Sequence, residues 1–184
     1  KRLQMSALRN IRTTGIRALR LEEDDELIAV LETDGNQNIL IATRDGMAIC
    51  FRETDIRAMG REAAGVRGIR LRKGDWCIGA SKALDNACLL SVTDNGFGKC
   101  TPITEYLRGS DEGGMPQNRG GIGVKNYNVT EKTGKVACVK AVDGSDDVLI
   151  ISDDGTMIRM EASDISVYGR ATQGVRLMRL TEGC

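Results

Sequence analysis

Short apolar runs followed by tight-turn residues are the dominant pattern along this chain. Three such runs lie at 38–42, 87–92 and 148–151. Each leads into an Asp-Gly or Asn-Gly pair, and the chain returns through segments at 47–51, 97–100 and 156–160. The runs are too short for helices, and Asp-Gly and Asn-Gly tolerate the positive φ of hairpin turns. We therefore expect three β-hairpins, and no stretch of helical period competes with them.

Two further apolar segments lie upstream of these hairpins. Leu27–Leu31 leads into Thr33-Asp34-Gly35, and Val136–Val142 leads into Asp143-Gly144. Both pairs carry the same turn chemistry and predict additional hairpins. Together with a strand after each Gly-Val-Arg sequence, about four strands are expected in each repeating unit.

The chain repeats. Residues 43–71 and 152–180 superimpose at a constant offset of 109, with 12 identities in 29 positions. A signature of glycine, a β-branched residue and a cation recurs at Gly15-Ile16-Arg17, Gly65-Val66-Arg67, Gly123-Val124-Lys125 and Gly174-Val175-Arg176. Such units bury their apolar faces by stacking on their neighbours, so equivalent side chains form a periodic surface.

The spacing of this signature divides residues 1–184, as part of one domain, into units of near fifty residues. The expected units are 1–24 as the end of a preceding unit, then 25–74, 75–133 and 134–184. The third is longer than the others, and its extra residues fall in a Gly-rich acidic loop at 107–116. Lys1 lies within the end of one unit, so the chain is expected to be a piece of a longer polypeptide.

Composition narrows the class of protein. The chain has 184 residues, 41% of them apolar, which is enough to bury a core. No apolar run reaches about eighteen residues and no signal-peptide pattern occurs, which favours a cytoplasmic protein without a membrane span. The 26 basic and 26 acidic residues cancel, so no overall field attracts a polyanion.

The cysteines and the absence of histidine argue against catalysis or metal binding. Six cysteines occur without a Cys-x-x-Cys pair, and there is no histidine. Cys50 and Cys100 occupy equivalent repeat positions, so the period explains their spacing. We expect the cysteines to be small buried side chains of a reduced protein and predict no metal site. Histidine, the commonest acid-base catalyst, is missing.

Cations follow the repeat. They stand two places after the signature glycine at Arg17, Arg67, Lys125 and Arg176, and four places before it at Arg61, Arg119 and Arg170. Such a series predicts either a cationic edge that contacts nucleic acid or a solvated face with ordinary ion pairs. Aromatic residues form no periodic ladder, so a nucleic-acid ligand would be duplex rather than single-stranded.

The glycine-rich segment 117–123 has two open interpretations. Its backbone amides could hold a phosphate beside Arg119, or it could be a plain turn before the strand that starts near Gly123. It lacks Gly-Lys-Ser/Thr, so a nucleotide-binding P-loop is not expected.

The ordered series of motifs resembles one known family. The run from Asp55 to Leu71, then Thr93 to Lys99, then Ile165 to Arg170 with Gly174-Val175, closely resembles the C-terminal domain of the DNA gyrase A subunit. The likeness covers essentially the whole chain. It implies an all-β fold, a β-pinwheel, in which four-stranded blades exchange strands within a propeller-like disc, with three to four blades present here.

The resemblance also implies a function. In that family a basic rim binds and wraps double-stranded DNA and so supports ATP-dependent negative supercoiling. The strand-breaking and ATPase sites lie elsewhere in a bacterial A2B2 holoenzyme with the gyrase B subunit. ATP and Mg²⁺ therefore belong to the holoenzyme, and no cofactor is expected here. No catalytic residue is predicted, because Tyr106, Tyr127 and Tyr168 are expected in blade loops.

A hallmark of the family is the gyrase box, Q-[RK]-R-G-G-[RK]-G. Its pattern is matched by Gln117, Arg119, Gly120, Gly121 and Gly123. Asn118 and Ile122 replace cations, so the segment is expected to be a degenerate counterpart of the box. The related C-terminal domain of topoisomerase IV, which steers DNA without strong wrapping, is the first alternative.

The resemblance turns the cation series into candidate phosphate contacts. The hypothesis names Arg12, Arg17, Arg61, Arg67, Arg119, Lys125, Arg170 and Arg176. The chief rival from another class is a propeller-like scaffold for protein interactions.

Overall fold

The computed structural model describes residues 1–109 and 114–180 and is built from short antiparallel strands. Within these residues the strands are β1 (Asn38–Thr43), β2 (Met47–Arg52), β3 (Cys77–Lys82), β4 (Cys88–Thr93), β5 (Phe97–Pro102), β6 (Val124–Lys125), β7 (Val136–Val142), β8 (Asp147–Ile151), β9 (Met157–Glu161) and β10 (Val175–Arg176). Single 3-10 turns lie at Met5–Leu8, Glu53–Asp55, Ile103–Tyr106 and Ala162–Asp164. No helix in this described part is long and apolar enough to cross a bilayer.

The three predicted hairpins are confirmed. β1 pairs with β2, β4 with β5 and β8 with β9, all antiparallel. The turn glycines Gly46, Gly96 and Gly155 have φ of 80°, 74° and 84°. Glycine adopts this left-handed region without a steric penalty, which explains why each apolar run ends where it does.

The further hairpins predicted upstream of them are wrong. β7 pairs with β4 rather than with β8, the next strand along the chain, and β3 pairs with β1. Asp143-Gly144 does form a turn, in which the Ser145 amide donates to the Asp143 carboxylate at 2.8 Å. Because a turn reverses the chain without fixing its neighbour, this one leads from one sheet into the next.

The segment Leu27–Leu31 is also not a strand. In the structure it belongs to no sheet, and Val30 is 80% exposed. The strands β3 and β7 at the equivalent repeat positions pair with the hairpins that precede them. The described residues hold no hairpin ahead of Leu27–Leu31 that could serve in the same way.

Strand exchange between successive repeats completes each four-stranded sheet. β6 pairs with β2 through Ala48 and Val124, and β10 pairs with β5 through Gly98 and Val175. The sheet orders are therefore β3-β1-β2-β6 and β10-β5-β4-β7, while β8 and β9 form a two-stranded sheet. This is the all-β pinwheel architecture that the resemblance implies.

The sheets stack face to face with a core in each gap. Leu40 on β1 and Leu89 on β4 lie in the core between the two four-stranded sheets. Leu90, on the opposite face of β4, packs with Val148 in the core next to the β8–β9 hairpin. Alternation along each strand thus places one residue on each side, and both faces of a sheet are buried.

The cysteines follow the expectation only in part. Cys50 and Cys100 are buried in two of these cores, and their burial raises each thiol pKa to about 11. Cys138 is exposed on β7, so the prediction that the cysteines are buried is wrong for this residue, and Cys77 and Cys88 are only partly buried. Cys184 lies outside the described residues. Cys138 lies on the face of β7 opposite to that of neighbouring Val139, which is in the core between the four-stranded sheets.

The predicted loop at 107–116 begins and ends at a single β-bridge. Arg108 and Met115 exchange backbone hydrogen bonds of 2.7 and 2.8 Å. Residues 110–113 lie outside the described part of the chain. The bridge brings the ends of the loop together next to Tyr106, which is fully buried, as is Tyr127.

Candidate nucleic-acid interface

A backbone hydrogen bond anchors the segment ahead of each later signature glycine to a residue one repeat earlier, which lies in a strand in two cases and in an isolated β-bridge in the first. The bonds are Met59 N to Arg2 O at 3.0 Å, Gln117 N to Cys50 O at 2.7 Å and Tyr168 N to Cys100 O at 2.9 Å. All three anchored residues stand two places before the arginine that precedes the glycine. The repeated arginines therefore start from equivalent positions.

Each of those arginines then donates a hydrogen bond to the backbone carbonyl of the cationic residue in the preceding repeat. The hydrogen bonds run from Arg61 Nη1 to Arg17 O at 3.1 Å, from Arg119 Nη1 to Arg67 O at 3.1 Å, and from Arg170 Nη1 to Lys125 O at 3.3 Å. Six of the eight predicted residues thus come together as three pairs, each formed between neighbouring repeats. We call these pairs the arginine clamps.

The two members of a clamp differ in exposure. Arg17, Arg67 and Lys125, which supply the carbonyls, have exposed side chains, and so does Arg176. Arg61, Arg119 and Arg170 are only partly exposed. Lys125 Nζ donates to Asn128 Oδ1 at 3.2 Å. An exposed cationic head can still approach a phosphate, whereas a guanidinium held by protein carbonyls is committed to the fold.

The clamping arginines make further contacts with the protein. Arg119 Nε donates to Asp55 O at 2.9 Å. The Glu105 carboxylate accepts from the Arg170 amide at 3.1 Å and lies 3.8 Å from Arg170 Nε. The positive charge of Arg170 is therefore partly balanced by a neighbouring carboxylate.

Arg12 and Arg176 stand outside the clamps among the described residues. The Arg12 carbonyl accepts from the Gly15 amide at 2.8 Å, and its side chain is exposed. The Arg176 guanidinium lies 5.0 Å from the centre of the Phe97 ring across the β5–β10 pair. This cation–π contact orients Arg176 while leaving it accessible.

The glycine-rich segment packs against the protein instead of forming an open cradle. Gln117 is buried, and its Nε2 donates to Tyr106 O at 3.0 Å. The Gly120 amide donates to Gly68 O, and the Gly121 carbonyl accepts from the Arg70 amide at 2.7 Å. Because the Gly120 amide is already used, the turn interpretation fits this segment better than a phosphate cradle.

Sequence reasoning missed a buried lysine beneath the third clamp. Lys99 Nζ donates to Gly169 O at 2.6 Å and to Arg170 O at 2.7 Å. Its side chain is fully buried, and this burial lowers its pKa to about 8. Lys99 occupies the repeat position that apolar Ile49 holds one repeat earlier. This replacement of an apolar residue by a lysine is the sequence signal that could have identified the buried lysine.

Comparison with known proteins decides the family of this chain. The family described as DNA gyrase C-terminal domain, beta-propeller, matches residues 1–34, 37–83, 89–110, 116–143 and 146–183. The chain belongs to the DNA gyrase C-terminal domain family. The resemblance inferred from the repeat motifs is thereby confirmed.

Two similar relatives are A subunits of bacterial DNA gyrases. The DNA gyrase A subunit of Staphylococcus epidermidis strain ATCC 12228 is 43% identical over 185 residues, which is 100% of this chain and 20% of the relative. The DNA gyrase A subunit of Staphylococcus aureus strain MRSA252 is 43% identical over 182 residues, which is 98% of this chain and 20% of the relative. The chain thus spans a small part of these proteins.

Solved structures share the fold. The C-terminal domain of DNA topoisomerase IV superimposes with a TM-score of 0.85 at 20% identity, covering 95% of this chain and 53% of that one. A DNA gyrase A C-terminal domain superimposes with a TM-score of 0.78 at 24% identity, covering 92% of this chain and 55% of that one. Both likenesses support the pinwheel assignment.

Proposed function

We propose that this chain binds duplex DNA and wraps it along the exposed cations of successive repeats, without catalysing a reaction itself. The observation that carries the proposal is the exposure of Arg17, Arg67, Lys125 and Arg176 at equivalent positions two places after the signature glycine. The arginine clamps link three of these positions to the following repeat. A regular series of this kind suits a curved, regularly charged ligand.

The exposed cations are suited to recognise the backbone and curvature of DNA rather than its base sequence. Contacts from arginine and lysine to phosphate position DNA without reading its bases. Bending a segment of 20–30 base pairs by 40–90° costs roughly 1–6 kcal/mol, so several distributed cations are needed to offset it. Phe51, Phe97, Tyr106 and Tyr127 are buried, and the two exposed aromatic side chains, Trp76 and Tyr168, form no series on which successive single-stranded bases could stack.

The wider setting of this activity is also a proposal. The 43% identity to the A subunits of bacterial gyrases favours a role in ATP-dependent negative supercoiling over the topoisomerase IV alternative. In that setting ATP, Mg²⁺ and the strand-breaking residues belong to the rest of an A2B2 holoenzyme with gyrase B. The place of action would be the bacterial cytoplasm, at the nucleoid.

The first experiment measures binding of a linear duplex as a function of salt. If about six phosphates are neutralised, the affinity should fall roughly 10³-fold between 50 and 200 mM salt. Alanine at all four positions 17, 67, 125 and 176 should reduce the magnitude of the slope of log affinity against log salt by about 3.6. Lys140→Ala, which removes an exposed cation of β7 at another repeat position, is the matched control and should leave binding unchanged. A flat response of the unaltered chain to salt would refute DNA binding by this surface.

A second experiment separates wrapping from simple binding. Nicked circular DNA is resealed in the presence of the chain, the protein is removed, and the topoisomers are resolved on a gel. Wrapping of fixed hand shifts the linking number in one direction in proportion to bound protein. Binding without a shift would leave a duplex-binding domain that does not wrap. Retention of a protein partner with no duplex binding would favour the scaffold.

A further inference from the structure

The arginine clamps assign different tasks to the two classes of cation. We infer that Arg61, Arg119 and Arg170 are positioning residues, each of which holds the backbone of the DNA-contacting cation in the preceding repeat. The inference rests on the proposed function, because it distinguishes residues that contact DNA from residues that position them on the same surface. It predicts that the DNA contacts of Arg17, Arg67 and Lys125 each depend on an arginine of the following repeat.

Arg119 and Arg67 show the dependence most clearly. Arg67 lies in no strand, so no sheet holds its backbone. Its carbonyl accepts from Arg119 Nη1 at 3.1 Å, and the Arg119 Nε bond to Asp55 O at 2.9 Å fixes the guanidinium from the other side. Arg119 therefore bridges two carbonyls and ties the Arg67 backbone to the 3-10 turn at Glu53–Asp55.

Bonds next to the clamp extend this hold along the backbone. The Gly120 amide donates to Gly68 O, and the Arg70 amide donates to Gly121 O at 2.7 Å. The segment that carries Arg67 is thus aligned by the glycine-rich segment of the next repeat. This use explains the arginine and the two glycines without a bound phosphate.

Lys125 provides a graded comparison. It lies in β6, opposite Met47 of β2, so a sheet already places its backbone before Arg170 donates to its carbonyl at 3.3 Å. Loss of Arg170 should therefore disturb Lys125 less than loss of Arg119 disturbs Arg67. The neighbouring carboxylate of Glu105 also makes Arg170 a weak candidate for a phosphate contact.

The test is a double-mutant cycle on duplex binding by the whole chain, read as the slope of log affinity against log salt. Each lost phosphate contact should reduce the magnitude of that slope by about 0.9. We expect Arg67→Ala to reduce it by about 0.9, Arg119→Ala by no more than this, and the double variant by no more than Arg67→Ala alone. A reduction of about 1.8 in the double variant would mean that Arg119 contacts phosphate itself, which overturns the inference.

The variants Arg67→Ala and Arg176→Ala form the matched additive pair. Both residues have exposed side chains and belong to different repeats, Arg67 outside any strand and Arg176 in β10. Their double variant should lose about 1.8 in slope. If Arg67→Ala alone changes neither affinity nor slope, the proposed DNA surface fails at that position. Additive effects of Arg67→Ala and Arg119→Ala are a different outcome. They would contradict only the positioning role of Arg119 and would leave the DNA surface intact.

Arg119→Lys guards against misfolding as an explanation. Lysine keeps the charge and can contact a phosphate as a point charge, but it cannot reproduce the bridge from two guanidinium nitrogens to two carbonyls. A positioning role predicts that Arg119→Lys loses most of the affinity that Arg119→Ala loses, at a thermal midpoint close to that of the unaltered chain. Affinity within about twofold of the unaltered chain would contradict it.

Discussion

Arg44 in the first hairpin turn and Asp94 in the second form a two-point ion pair, with Nη2–Oδ2 at 2.6 Å and Nη1–Oδ1 at 3.1 Å. The two turns belong to neighbouring sheets, so the pair joins them where β1 meets β2 and β4 meets β5. The Arg44 guanidinium also lies 5.3 Å from the centre of the Trp76 ring. Both side chains remain partly exposed, at 24% and 37%.

This geometry predicts a modest coupling between the two turns. Two-point contact raises the value of the pair, but partial exposure screens it, so a coupling free energy of about 0.5–1 kcal/mol is expected. Urea unfolding of Arg44→Ala, Asp94→Ala and the double variant measures it. The coupling should shrink at high salt. Strict additivity of the two substitutions would show that the pair contributes nothing to stability.

Gly123→Ala should disrupt the exchange of β6. Gly123 has a φ of 78°, and an added Cβ would lie 2.2 Å from Ala48 O on the strand that β6 pairs with. Left-handed strain alone costs roughly 1–3 kcal/mol, and the clash adds to it. We expect a loss of more than about 2 kcal/mol in the free energy of unfolding.

Gly144→Ala is the matched control for that substitution. Gly144 lies in the turn between β7 and β8, with no atom within 4 Å of an added Cβ and no left-handed φ. Its replacement should change stability by less than about 1 kcal/mol. Equal effects of the two substitutions in chemical unfolding would show that close approach at Ala48 does not matter.

Lys99 should make stability depend on pH in the alkaline range. Burial lowers its pKa to about 8 from an ordinary value of 10.5, so the folded state disfavours the charged form. Below pH 8 the lysine is charged in both states and the penalty is constant. As pH rises from about 8 to 10.5, the folded state releases its proton first, and this group's contribution to stability increases.

Lys99→Met isolates that contribution. The substitution removes the donor to the carbonyls of Gly169 and Arg170, which costs stability, and also removes the cost of burying the charge, which restores some of it at neutral pH. Between pH 8 and 10.5 the stability of the unaltered chain relative to Lys99→Met should rise, as measured by urea unfolding at each pH. Lys140→Met, which makes the same change at an exposed position of β7, is the control. A gap that stays constant for Lys99→Met would contradict the lowered pKa.

The cysteines should differ in reactivity. Only the thiolate is alkylated, and burial both raises the pKa of Cys50 and Cys100 to about 11 and blocks access. Partial desolvation also raises the pKa of Cys138, but its side chain is exposed, so its accessibility should let it react with iodoacetamide well before either of them. Peptide mass spectrometry of a labelling time course reads each site separately. Equal rates at Cys138 and Cys50 would contradict the packing of β2.

The sequence predicts local features well and pairing poorly. The hairpins β1–β2, β4–β5 and β8–β9 follow from short apolar runs and turn glycines, which act over a few residues. The turn at Asp143-Gly144 carries the same chemistry, yet it joins strands of different sheets. Which strand lies beside β7 is set by packing of Val136 and Val139 in the core between the four-stranded sheets, and no local signal encodes that choice.

The candidate interface shows a similar division. The repeat period places Arg67 in the series of cations after the signature glycine and Arg119 in the series before it, because residue types can be compared directly in the sequence. Their clamp is not visible there, since the acceptor is a backbone carbonyl that every residue possesses. Lys99 escaped notice because it interrupts the repeat at a position held by Ile49, so periodic reasoning had no reason to select it.

Strand exchange has a consequence for how the protein is made. The first four-stranded sheet is complete only when Val124 pairs with Ala48, and the second only when Val175 pairs with Gly98. Because the ribosome synthesises the chain from its N-terminus, one edge of each hairpin stays unpaired until most of the next repeat has emerged. Such nascent edges invite wrong partners, and closure over so long a stretch of polypeptide is slow.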